Sequence, residues 1–238
     1  MIIIFITIGL GGYLVIKQKD APQVEENKNV DSNRFKSEYE ALNNKRINNT
    51  RYNYLTLQIE EKNPIKYISL DELNNMLENG TGIVYLGYSE SNMCRNAINV
   101  LLTTARDKNV DTIYYLNMYE IRDNYIVENG ELIKTIEAQD GYQKLLENLD
   151  TYLQDYVIND NSGNSYPIGE KRVEVPTVIA IKNGEIKSIH QKTVDSNTNE
   201  FSNLTRNQKN ELYTIYNELV DSINKENEQT FCTSEEAC

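Results

Sequence analysis

The stretch GIVYLGYSESNMCR, residues 82–95, decides the fold. Ile83–Leu86 is a short apolar run with β-branched and aromatic members, which predicts a buried strand. Gly87-Tyr-Ser-Glu90 supplies a turn, and Ser91 belongs to the residue types whose side-chain oxygen caps a helix. Cys94, Ile98, Leu101, Leu102 and Ala105 then recur at helical spacing, so an amphipathic helix follows the turn. A helix N-terminus carries free N–H groups and partial positive charge. A thiol placed there ionises more easily, and redox-active dithiols use this setting.

Working outward, Phe35, Tyr39 and Leu42 predict a short helix within residues 31–47, and Tyr54–Ile59 alternates like a strand. Ser69-Leu-Asp-Glu72 has the form of a capping box opening a helix through Leu77, which Gly80 and Gly82 end. Thr112–Leu116 reads as a strand. Asp140 opens a long amphipathic helix with Tyr142, Leu145, Leu146, Leu149 and Leu153 inward, and a polar stretch over residues 159–171 reads as a loop. Pro176–Ile181, Asn183-Gly184 and Glu185–Ile189 form a hairpin pattern around a tight turn. Thr205 and Gln208 cap a last helix with Leu212, Ile215, Leu219 and Ile223 on one face. Alternating strands and helices predict an α/β domain, with a central mixed sheet flanked by helices on both faces.

At the N-terminus, Met1–Ile16 is apolar and uncharged, which predicts a hydrophobic helix serving as a transmembrane anchor over residues 1–17. A polar linker over 18–32, the domain over 33–226 and a flexible polar tail over 227–238 complete the expected organisation. Lys17 and Lys19 follow the anchor, and by the positive-inside rule they favour an inside domain. The expectation adopted for the domain is nevertheless the extracytoplasmic face. The tail holds Cys232 and Cys238, close enough in sequence to pair in an oxidising compartment. The net charge of -12, without a basic cluster, argues against nucleic acid as a partner. His190 is the single histidine and has no His or Cys nearby to build a metal site; no cofactor is expected.

The residues Gly82–Gly87, Ser91–Arg95, Tyr114–Asn117, Gly169–Arg172, Val175-Pro176-Thr177 and Lys182–Gly184, in this order and spacing, resemble the thioredoxin-like superfamily. More closely, they resemble the thioredoxin-fold proteins of Gram-positive bacteria related to bacteriocin transport accessory proteins. The likeness runs from about residue 35 to 223 and implies a thioredoxin-like fold with a helical insertion over residues 118–174. It also implies that Pro176 is cis and faces the redox motif, leaving the backbone of Val175 free to pair with an extended peptide.

The chain departs from that family at the reacting atom. The resemblance places Ser91 where the family carries its attacking cysteine and Cys94 where the resolving cysteine sits. Tyr85 stands at a strand position that often holds a buried acid. A serine hydroxyl is not ionised at neutral pH and cannot perform thiol–disulfide exchange. Two readings of Cys94 stay open: a small buried hydrophobe, or a residual monothiol. Two functions follow. One is a degenerate Ser-x-x-Cys module that binds a peptide or protein client through Val175 and Pro176. The other is a thiol–disulfide oxidoreductase that uses Cys94 with the tail cysteines.

Overall fold

The computed structural model describes residues 7–8, 12–13, 23–48, 50–160 and 163–224. Thr7–Ile8 (β1) and Gly12–Tyr13 (β2) pair antiparallel, so the described part of the run expected to be a hydrophobic helix is a short strand pair. The rest of the anchor expected over residues 1–17 lies outside the described residues, as do Cys232 and Cys238. Among the described residues, no helix is long and apolar enough to cross a membrane.

The first helix, α1 (Gln23–Glu40), starts inside the stretch expected to be a linker. Gln, Glu and Lys in its first half are good helix formers, and no Gly interrupts them. Next come β3 (Ile65–Tyr67), α2 (Leu70–Asn79), β4 (Gly82–Gly87), α3 (Asn92–Asp107) and β5 (Ile113–Asn117). Two hairpins follow, β6 (Asn124–Glu128) with β7 (Glu131–Ile136) and β8 (Gln154–Asn159) with β9 (Ser165–Arg172). Between them lie α4 (Tyr142–Leu149) and a 3-10 turn at Asp150–Tyr152. The hairpin β10 (Thr177–Lys182) and β11 (Glu185–Gln191) and the helix α5 (Arg206–Asn224) complete the chain order.

The central sheet has the strand order β11-β10-β4-β5-β3. β3 and β4 run parallel to β5 on either side of it, β10 pairs antiparallel with β4, and β11 antiparallel with β10. Order and direction are compatible with a thioredoxin-like fold. The period-2 alternation of strand side chains divides the core in two. Ile83 and Tyr85, with Ile113, Tyr115, Val178 and Ala180, face α1, α3 and α5. Val84 and Leu86, with Ile179 and Ile181, face α2 and α4.

Local signals match the structure closely. Ser69 and Glu72 form a full capping box, and Thr205 and Gln208 exchange the same pair of bonds. Asn183 and Gly184 have φ of 54° and 78°, the left-handed pair a two-residue hairpin turn requires. A Cβ on Gly184 would run into the Glu78 carbonyl, so only glycine fits there.

Further expectations are corrected. Tyr54–Ile59 is extended, with Leu55, Leu57 and Ile59 buried, but it joins no sheet. Side chains replace the ladder: the N–H groups of Leu55, Leu57 and Ile59 donate to Asn92 Oδ1, Asn43 Oδ1 and Glu40 Oε1 at 2.8, 2.9 and 2.7 Å. The segment over 118–174 is not a helical insertion, because its described part is two hairpins and one eight-residue helix. The stretch expected as a loop over 159–171 supplies β9, whose half-buried Tyr166 and Ile168 alternate with exposed neighbours. The long helix from Asp140 ends at Leu149, yet Leu153 is buried beyond it. On α5, Tyr216 and Val220 join Leu212 and Leu219 in the core, while Ile215 and Ile223 are only partly buried.

Candidate functional site

The site is assembled where β4 ends and α3 begins. Ser91 is the N-cap of α3, and its hydroxyl accepts a hydrogen bond from the Cys94 N–H at 3.2 Å. It is half-buried, whereas Cys94, one turn further on, has no solvent exposure. Burial pushes the Cys94 thiol pKa up, outweighing the hydrogen bonds from Ser91, Tyr88 and Tyr85 that favour a thiolate. The helix N-terminus therefore does not yield an exposed thiolate here. Among the described residues Cys94 is the one free cysteine.

Beneath the cap, the buried Tyr85 donates to the Cys94 carbonyl at 3.1 Å, and its hydroxyl lies 3.3 Å from that of Tyr39. The phenol of Tyr85 thus occupies the core with its hydrogen-bonding capacity taken up by backbone and by a second tyrosine. Desolvation raises the pKa of Tyr85 well above the ordinary value, so it is no proton acceptor at neutral pH.

Arg95, the next residue on α3, is fully buried and forms no ion pair among the described residues. Its Nε donates to Leu55 O at 2.6 Å, its Nη1 to Tyr39 O at 2.8 Å and Ser89 O at 3.1 Å, and its Nη2 to Asn43 Oδ1 at 2.6 Å. One side chain therefore ties the end of α1, the loop after it, the extended segment and the site turn together. Sequence reading used Arg95 only as part of a motif and gave neither it nor Asn92 a structural role. The available signal was spacing: Arg95 lies three residues before Ile98 and seven before Leu102, on the apolar stripe of α3.

Pro176 stands beside this turn through the sheet register. Thr177 pairs with Leu86, so the preceding proline is level with Gly87, where the chain leaves β4 for Ser91. The Val175–Pro176 bond is cis. The Pro176 carbonyl accepts from Lys192 N at 2.7 Å, and Thr177 Oγ1 donates to Glu174 O at 2.6 Å. Among the described residues, the N–H and carbonyl of Val175 between them make no hydrogen bond. Tyr88 and Tyr119 meet edge to face at 5.6 Å on the neighbouring surface, and Arg122 donates to Val173 O at 3.3 Å.

His190 lies on β11 and does not reach Ser91: its Nε2 is 2.6 Å from Thr193 O, and its ring meets Tyr216 edge-on at 5.9 Å. Ser91 consequently has no base hydrogen-bonded to it among the described residues, and a serine nucleophile needs one. No group of three or more His, Cys, Asp and Glu among the described residues could hold a metal ion. A cavity of about 500 Å³ lies elsewhere, lined by Ile59, Pro64, Leu102, Arg106 and Val110 near the amino ends of β3 and β5, and includes none of these site residues. Comparison of the chain with protein-family models, with curated proteins and with solved structures finds no match to any of them.

Proposed function

We propose that this chain is a thioredoxin-like module with a degenerate Ser-x-x-Cys site, held at the extracytoplasmic face by its N-terminal segment, that binds an extended peptide or protein client without dithiol catalysis. The observation that carries the reading is the pairing of Ser91 and Cys94. The position at the helix start holds a hydroxyl, and the thiol behind it is wholly buried with a raised pKa. Exchange needs an exposed thiolate, and this arrangement offers none. The open backbone of Val175 supports the binding half of the proposal, because an unpaired N–H and carbonyl beside a sheet can accept an extended chain as an added strand. The tail disulfide between Cys232 and Cys238 belongs to the same proposal and to an oxidising surrounding.

The test is a gain of function. Wild-type protein should reduce a model disulfide substrate no faster than small-molecule thiol alone. Ser91→Cys should form a disulfide with Cys94 and acquire measurable reductase activity. An active wild type that loses activity on Cys94→Ala would instead establish the oxidoreductase reading.

A further inference from the structure

We infer that the outer face of the β6–β7 hairpin docks a basic, aliphatic protein segment. The register puts three rungs on that face: Asn124 opposite Ile136, Ile126 opposite Ile133, and Glu128 opposite Glu131. Ile126, Ile133 and Ile136 are 45%, 39% and 53% exposed, so a whole row of isoleucines on one face faces solvent. The other face is used: Tyr125, Val127 and Leu132 are half-buried, and Tyr125 covers the guanidinium of Arg172, which is ion-paired to Asp123. Scattered exposed isoleucines need no explanation, but three adjacent ones on the free face of a two-stranded hairpin form a patch of the kind that marks an interaction site.

Charge decides the occupant. Glu128 and Glu131 oppose each other directly across the strands, extend the isoleucine row at the hairpin tip, and form no ion pair among the described residues. Like charges placed opposite one another destabilise a hairpin. A partner that brings Lys or Arg to that rung relieves the repulsion while its aliphatic side chains cover the isoleucines. A second copy would bring the same carboxylates to the contact, and an anionic lipid surface would repel them. Lys134 does not neutralise this face. It lies on the opposite side of β7, where it pairs with Glu137 at 3.2 Å and approaches Asp123 at 3.7 Å.

The experiment uses the full chain in nanodiscs of zwitterionic lipid, with an alternating Leu-Lys octapeptide as probe and an alternating Leu-Glu octapeptide as control. The Leu-Lys peptide should bind and the control should not. Ile126→Ser with Ile133→Ser, which leaves every charge in place, should weaken binding by about tenfold or more. Glu128→Lys converts the tip rung into an opposite-charge pair; it should stabilise the hairpin, weaken the Leu-Lys peptide by a similar factor and admit the Leu-Glu peptide. Equal binding by wild type and the double serine variant would overturn the proposal. So would self-association that the isoleucine substitutions abolish, or slowed amide exchange over Ile126–Ile133 in nanodiscs without peptide, which would assign the face to a second copy or to lipid.

Discussion

Replacing Arg95 tests whether one buried cation holds the site turn in place. In Arg95→Met the aliphatic volume is largely kept and the guanidinium is lost. Of the four acceptors, Asn43 Oδ1 keeps its bond from Leu57 N, and Tyr39 O keeps a weak one from Leu42 N at 3.4 Å. The carbonyls of Leu55 and Ser89 lose the donor that Arg95 supplied. Leaving a buried acceptor unsatisfied costs about 1–3 kcal/mol, so two give about 2–6 kcal/mol, with about 4 kcal/mol as the central figure. That is a large part of the 5–15 kcal/mol typical of a domain. With a urea slope of roughly 2 kcal/mol per M, the denaturation midpoint followed by circular dichroism should fall by about 2 M. Arg95→Lys should be at least as damaging. It keeps a buried charge that has no ion-pair partner among the described residues, and a single ammonium cannot span four acceptors contributed by different segments. A shift below about 0.5 M for the methionine variant at unchanged slope, or a lysine variant as stable as wild type, would show that the network does not carry the turn.

Three further outcomes follow from the same geometry. In a Cys232→Ser, Cys238→Ser background, alkylation of Cys94 should be more than about a thousandfold slower in the native protein than in urea, since the thiol reacts only from opened molecules; comparable rates would show that it is accessible. Burial by itself raises the Glu40 pKa, but hydrogen bonds from Lys36 and the Ile59 N–H hold it below the usual carboxylate value. Its folded-state pKa is thus depressed, so the stability it adds is present above the unfolded pKa and is lost as pH falls through the folded one. Urea midpoints of Glu40→Gln should accordingly lie below wild type at neutral pH and converge with it in acid, and a gap that persists unchanged in acid would remove the linkage. Deleting Met1–Ile16 should move the chain from the membrane to the soluble fraction, and intact full-length protein found soluble would reject the anchor.

Much of the scaffold was legible because its signals are local. The Ser91 cap, the Ser69–Glu72 and Thr205–Gln208 boxes and the Asn183-Gly184 turn each depend on residues within a few positions of one another, so the sequence alone determined where α2, α3 and α5 begin and where β10 turns into β11. The placement of Ser91 and Cys94 on one helix start was equally readable, since capping preference and the 3.6-residue period act within a single turn. Burial of Cys94 behind the cap was only half legible: periodicity put it on the apolar stripe, but its zero exposure is reached only in the folded chain, where the buried Tyr85 hydroxyl bonds its carbonyl. The strand-like alternation at Tyr54–Ile59 misled because alternation reports which side chains are buried, not what the backbone bonds to. Only the tertiary structure brought Asn43, Glu40, Asn92 and Arg95 from 14 to 40 positions away to replace the missing ladder. The hairpins over 118–174 stayed hidden for a related reason. Their faces cover the buried Arg172–Asp123 pair and its tyrosines, a polar core with no hydrophobic period to read, and that pair forms only when residues 49 positions apart in sequence meet.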